Sequence, residues 1–239
     1  MDIHHGAKIN LKDKQMDTRD YFGWTVLIDD NRYGPALKNN IDHTNSCKDD
    51  MLDIMPFVKN KRCVLEIGVH YGFCTKHLAK VFENVHTFDF DNDVHSCFKI
   101  NMEKFNVKNL ILHSYGLGDR DAEVSTNDMH PEKGRGPLAN HVDISGKGPI
   151  FKIKALDSLN IKDVDLMIID TEGYEYYVLK GARRTIETYF PALVIEFHKK
   201  KISRKFFGIE HSQTEQLLKD MGYRYIKNIN KNDRLYVAN

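Results

Sequence analysis

Four short stretches hold the residue types able to do chemistry. The first is Val64-Leu65-Glu66-Ile67-Gly68-Val69-His70-Tyr71-Gly72, an apolar run that passes into a turn with two glycines. Gly68 and Gly72 allow a sharp bend and a close approach of backbone to ligand. Their spacing is G-x-x-x-G rather than G-x-G-x-x-G, and no Lys-Ser/Thr follows, which speaks against a dinucleotide fingerprint or an ATP phosphate loop. Glu66 would repel a pyrophosphate and attract a cation such as an amino group. The bland alternative is a plain strand-to-helix turn. The second stretch ends at Asp89, where a carboxylate at a strand terminus can accept both hydroxyls of a ribose. Asp91 and Asp93 can cap the following helix, leaving Asp89 for that role.

The third stretch is Ile168-Ile169-Asp170-Thr171-Glu172-Gly173-Tyr174-Glu175, in which carboxylates leave a buried strand. The fourth is Ile195-Glu196-Phe197-His198, where the two-residue period of a strand puts Glu196 and His198 on one side. Asp170, Glu196 and His198 could converge as proton acceptors or as ligands of a hard metal ion. The alternative for His198 is a partly exposed histidine at a strand end.

These stretches need a frame that brings them to one edge. Cys63–Ile67, Val85–Phe90 and Asn109–Ser114 read as strands, and Phe73–Phe82 and Asp91–Phe105 read as helices between them. Such βαβαβ alternation predicts a parallel sheet covered by helices. The pattern resumes with strands at Val164–Ile169 and Ala192–Phe197, helices at 174–180, 182–189 and 212–221, and a closing hairpin of Tyr223–Ile226 and Arg234–Val237. Ligands of doubly wound sheets sit at the carboxyl ends of the strands, where all four stretches terminate. Residues 115–150, rich in Gly, Asp and His, form an excursion too long for an ordinary connection, with short strands expected at Ala122–Ser125 and Ile150–Lys154. Residues 1–50 are polar and punctuated (DDNRYGP, KNNIDHTNS), with one β-rich patch, YFGWTVLI. They read as an extension packed on a main domain of residues 51–239, shaping a pocket or serving as a decorative arm.

The bulk properties narrow the partners. The chain has 239 residues, with 35 Lys+Arg against 34 Asp+Glu. That balance lacks the basic excess of a general nucleic-acid binder. The basic run KKKISRK at 199–205 could hold an anionic group, or could be a solvated loop. The four cysteines, Cys47, Cys63, Cys74 and Cys97, include no C-x-x-C pair, so the expectation is no zinc site, free thiols and a reducing compartment. No signal peptide or membrane-length apolar run is evident, giving the expectation of a soluble, cytoplasmic protein without a membrane partner.

With those residues in view, the sequence resembles the FkbM-type methyltransferases of the class I S-adenosylmethionine-dependent superfamily. VLEIGVHYGFCT (64–75), VHTFDFD (85–91), ALDSLNIKDVDLMIIDTEGYEYYVLKGA (155–182) and PALVIEFH (191–198) carry the resemblance. It covers roughly residues 60 to 200. It implies a Rossmann-like α/β fold with a mostly parallel seven-stranded sheet and an antiparallel last strand. It also implies S-adenosylmethionine as cofactor, with Glu66, Gly68, Tyr71 and Gly72 near its methionine and ribose, Asp89 on the ribose hydroxyls, and Phe90 and Leu117 beside the adenine. The family often has Glu-Pro where this chain has Asp89-Phe90. Asp170 and Glu172 match substrate-side carboxylates, and Asp170 or His198 would take the acceptor's proton.

Members similar to this chain methylate hydroxyls of sugars, glycans or other small molecules, so O-methylation of such an acceptor is the expected activity. A metal-free reaction is preferred; the alternative is a divalent ion on Asp170, Glu196 and His198 that lowers the hydroxyl pKa. A nucleic-acid methyltransferase is disfavoured by the neutral charge and the lack of an N-P-P-Y loop. A non-catalytic binding module with the same fold is the third reading, and a nicotinamide oxidoreductase is discounted by the glycine spacing and Glu66. Oligomeric state is not written in the sequence.

Overall fold

The computed structural model describes residues 6–11, 14–127, 141–143, 150–197, 203–204 and 207–239. Its centre is a seven-stranded sheet. Strands β4 (Cys63–Ile67) and β11 (Val164–Ile169) lie side by side in its middle. Both are almost wholly buried, as continuous apolar runs covered on two faces must be. Outward on one side come β5 (Asn84–Asp89) and β6 (Leu110–Ser114); on the other come β12 (Ala192–Glu196), β14 (Asp233–Ala238) and β13 (Tyr223–Asn228). The pairs β6–β5, β5–β4, β4–β11 and β11–β12 are parallel. Strand β14 runs antiparallel between β12 and β13. The predicted mostly parallel sheet with its antiparallel last strand is therefore present.

The connections follow from local chemistry. Helix α4 (Asn92–Lys104) starts at Asp91, whose carboxylate accepts from the Asp93 and Val94 amides. Helices α5 (Glu175–Gly181) and α6 (Arg183–Tyr189) follow β11. The Asp157 carboxylate holds the start of α6 through the Arg184 and Thr185 amides. Helix α7 (His211–Asp220) opens with a reciprocal capping box between Glu210 and Gln213. The helix predicted over Phe73–Phe82 is shorter: regular α-helix, α3, covers Thr75–Leu78, and looser turns continue to Phe82.

Ahead of the sheet lie an antiparallel meander, β1 (Gly6–Leu11), β2 (Lys14–Tyr21) and β3 (Trp24–Leu27), and two helices, α1 (Tyr33–Lys38) and α2 (Ser46–Ile54). Tyr21, Trp24, Val26 and Tyr33 share one apolar core with Val69, Tyr71, Phe98 and Met102. The segment thus packs directly against the first glycine loop and α4. Asn101 ties the two together, accepting from the Thr25 amide at 2.7 Å and donating to the Thr25 and Tyr71 carbonyls. The described part of the 115–150 region contributes β7 (Gly116–Leu117), β8 (Ala122–Asn127) and β9 (His141–Asp143), which with β10 (Ile150–Lys154) form a second sheet of order β7-β10-β8-β9.

The expectation of four free thiols is corrected. Cys47 of α2 and Cys74, at the start of α3, form a disulfide with Cα atoms 5.3 Å apart, while Cys63 and Cys97 are buried thiols outside any disulfide. Packing of α2 on α3 brings the pair together, which their spacing in sequence does not signal. The expected reducing compartment loses its support accordingly. Among the described residues no helix is long and apolar enough to cross a membrane.

Candidate active site

The carboxyl ends of β4, β5, β11 and β12 meet at one edge of the sheet. At the end of β4 the chain turns through Gly68 at φ +89°. A Cβ there would lie 1.7 Å from the carbonyl oxygen of Asp170, so only glycine lets the loop pass beside the end of β11. The Asp170 amide in turn donates to the Ile67 carbonyl at 2.9 Å. Gly72, at φ +90°, lies against Met102 and Phe98 of α4, where a Cβ would come within 3.0 Å of both side chains. The loop therefore has a bare backbone at one end and close helix packing at the other.

Asp89 stands at the end of β5, half-buried. One of its carboxylate oxygens accepts from the His70 amide at 3.2 Å and the other from the Asp91 amide at 3.0 Å. These bonds aim the carboxylate at the space above the glycine loop. Phe90 follows it, with its ring 4.9 Å from Phe151 of β10.

Asp170 is open to solvent at the end of β11, although the surrounding protein displaces much of the water near its carboxyl. That desolvation, then the charge of Glu196 and a hydrogen bond with it, then Glu172 and Asp233, push its pKa well above the ordinary carboxylate value. Glu172 adopts a left-handed backbone at φ +55°, a conformation that costs a residue with a Cβ about 1–2 kcal/mol. Glu175 stabilises that turn: its buried carboxylate accepts from the Thr171 and Gly173 amides and the Thr171 hydroxyl.

Three predicted binding residues have their side chains in the core instead. Glu66 is 3 % exposed because β4 is covered on both faces, and Thr75 Oγ1 donates to its Oε2 at 2.5 Å. Burial pushes the Glu66 carboxyl up to about 8, so near neutral pH it is mostly protonated and offers little charge to a cation. Tyr71 is fully buried: the left-handed turn at His70 sends it under the N-terminal segment, where it donates to Asp30 Oδ2 at 3.0 Å and accepts from the Leu27 amide. Leu117 is 3 % exposed and packs in the main core. The structure brings together Gly68, Gly72, Asp89, Asp170, Glu172 and Glu196. His198 lies outside the described residues, as does most of the basic run 199–205. Among the described residues no group of three or more His, Cys, Asp or Glu could hold a metal ion.

Sequence reasoning allowed the N-terminal segment to shape a pocket but named none of the residues through which it does so. Buried Asp30 accepts from Tyr71 and stands 3.4 Å from His70 Nε2, and Tyr33 Oη lies 3.4 Å from His70 Nδ1. The stretch DDNRYGP is punctuated enough to suggest a turn, but nothing in it announces what it faces.

Residues 66–225 match the Methyltransferase FkbM domain family, which is more than half of the chain. This protein belongs to the FkbM methyltransferase family. A relative, Methyltransferase 1 of Beauveria bassiana (strain ARSEF 2860), is 25 % identical over 173 residues, or 62 % of this chain and 69 % of that one. An FkbM methyltransferase from Methylobacillus flagellatus KT shares the fold, with a TM-score of 0.53 at 17 % identity over 74 % of this chain. The present chain spans 43 % of that protein. A SAM-dependent methyltransferase from Aquifex aeolicus superimposes with a TM-score of 0.48 at 15 % identity, covering 85 % of this chain and 96 % of its own. The chain thus carries a methyltransferase domain. The bare Gly68 backbone and the Asp89 carboxylate are the groups at this edge that could take the ribose of an S-adenosylmethionine donor, whose sulfonium the acidic rim would favour.

Proposed function

We propose that this FkbM methyltransferase transfers the methyl group to a hydroxyl of a sugar, glycan or other small molecule, with Asp170 as the proton acceptor. The observation that carries the reading is the state of Asp170. Asp170 leaves the carboxyl end of β11 with its backbone against Gly68 and its side chain beside Glu196, and desolvation and Glu196 raise its proton affinity well above that of an ordinary aspartate. A hydroxyl is a weak nucleophile, and a carboxylate of raised proton affinity takes its proton more readily than an ordinary one. The donor supplies an electrophilic methyl group; the chain's task is to hold the acceptor oxygen in line and receive the proton. Glu172 and Glu196 flank Asp170 and can hydrogen-bond further hydroxyls of a polyol. The near-neutral charge of the chain suits an uncharged acceptor better than a polyanion.

The test is release of S-adenosylhomocysteine on a panel of mono- and oligosaccharides, phenols, and RNA and DNA fragments. The reading expects turnover on hydroxyl acceptors, and an Asp170→Asn variant that binds S-adenosylhomocysteine normally while its kcat drops by about 100-fold or more. Turnover confined to nucleic acid, or an Asp170→Asn variant of undiminished kcat, would refute it.

A further inference from the structure

The rim described so far is acidic, yet the methyl donor is not only a cation: its amino-acid end carries an ammonium and a carboxylate. Asp89, Asp170, Glu172 and Glu196 suit the ammonium and the sulfonium, but they repel the carboxylate. A site of this composition needs a positive group aimed at the same space.

The N-terminal segment brings one. Its turn is pinned by Asp30, which is 3 % exposed and accepts from the Tyr71 hydroxyl and the Arg32 amide, both at 3.0 Å. Asp30 also stands 3.4 Å from His70, whose amide bonds the Asp89 carboxylate. Two residues beyond Asp30, the Arg32 side chain is exposed and lies against Tyr33, whose hydroxyl is 3.4 Å from His70 Nδ1. The guanidinium carbon lies 5.6 Å from the centre of the Tyr33 ring. Asp30 therefore pins the Arg32 backbone beside the first glycine loop, and the guanidinium is close enough to Asp170 and Glu172 to feel their charge. Desolvation works against its charge, but Tyr33, Asp30, Glu172 and Asp170 outweigh that effect and keep the guanidinium firmly protonated. Tyr33 is itself neutral near pH 7, because burial raises its pKa, so the effective partners are the carboxylates on either side of the rim.

We propose that Arg32 binds the carboxylate of the donor's amino-acid end, so that the N-terminal segment completes the cofactor site. The assignment rests on S-adenosylmethionine being the donor and adds the residue that recognises its charged tail. Asp30, His70 and Tyr33 are positioning residues that fix the turn carrying Arg32. A planar guanidinium offers a carboxylate two parallel hydrogen bonds, which a lysine ammonium cannot match in geometry.

The experiment is calorimetric titration of the full chain with two probes, S-adenosylhomocysteine, which keeps the amino-acid end, and 5′-methylthioadenosine, which lacks it. Arg32→Ala should weaken S-adenosylhomocysteine by about 10- to 100-fold, the range of a lost charge-assisted hydrogen bond. It should leave 5′-methylthioadenosine within about twofold, since the groups that hold ribose and adenine are untouched. Arg32→Lys should recover part of the loss. Equal affinity of wild type and Arg32→Ala for S-adenosylhomocysteine overturns the assignment. So does parallel weakening of both probes, which would mark Arg32 as a structural prop of the loop. Wild-type protein that binds neither probe would bring down the donor reading itself, and this assignment with it.

Discussion

Replacing Glu66 by glutamine tests whether the carboxyl under the glycine loop is a buried, protonated group. In the folded chain its proton is held up to about pH 8, whereas an ordinary glutamate releases it near 4.5. Between those values the folded state keeps a proton that the unfolded state gives up. Stability is therefore full below about pH 4.5 and falls as pH rises through about 8. At roughly 1.36 kcal/mol per pH unit, the interval corresponds to a loss of ~5 kcal/mol at its upper end and ~3 kcal/mol by pH 7. Local opening and water entry reduce such figures, so about 2 kcal/mol is a conservative floor. Glutamine keeps the shape and can still accept from Thr75 Oγ1, but it does not titrate. Urea unfolding of both proteins from about pH 5 to pH 9 isolates the effect, because other titrating groups cancel in the difference. The glutamine variant should differ from wild type by less than about 1 kcal/mol at pH 5 and be more stable by about 2–5 kcal/mol at pH 9. A difference that stays flat to within about 0.5 kcal/mol across that range would refute the argument that Glu66 is protonated inside the fold.

Two further perturbations follow from the same neighbourhood. Gly68→Ala places a methyl group 1.7 Å from the Asp170 carbonyl oxygen at a left-handed φ, so it should cost roughly 3 kcal/mol or more in urea unfolding and abolish S-adenosylhomocysteine binding; a variant within about 0.5 kcal/mol of wild type would show that the two loops do not touch. Reducing the Cys47–Cys74 disulfide, whose cysteines are 27 residues apart in sequence, should lower stability by about 3.5 kcal/mol if loop closure in the unfolded chain dominates, and unfolding curves that coincide with and without reductant would exclude the bond.

The sheet was the most legible part of the chain. Cys63–Ile67 and Val164–Ile169 are short apolar runs bounded by polar residues, and both became central strands with the expected limits, because a strand buried on two faces has no polar alternation to blur it. The Asp91 cap was legible for a similarly local reason. The meander was not. Strand β2 reads KQMDTRDY and has buried and exposed positions in short succession, so its pairing depends on partners that composition does not reveal. The site divided in the same way. The places of Asp89 and Asp170 at the carboxyl ends of their strands were legible, because short apolar runs show where a buried strand stops. Tyr71 sits in the same loop, but one left-handed residue, His70, turned it inward. Glu66 was misplaced because a carboxylate in a strand pattern looks like a reactive group, whereas its burial is a property of the whole sheet. Asp30 gave no local sign of its position, since its partners, His70 and Tyr71, lie some forty residues further along, and Arg32 is placed only through Asp30.

The lock between Thr25 and Asn101 also sets a clock on synthesis. The backbone of Thr25 bonds a side chain 76 residues downstream, and Tyr71, the floor on which Asp30 rests, bonds the same asparagine. At translation speeds of about 5–20 residues per second, Asn101 is polymerised ~4–15 s after Thr25, and it clears the exit tunnel later still. Through that interval Trp24, Val26 and Tyr33, all buried in the finished protein, have no α4 to cover them. A nascent chain stalled with this segment outside the exit tunnel and α4 still inside it would thus display an adhesive aromatic surface, a natural target for chaperones that scan emerging polypeptides.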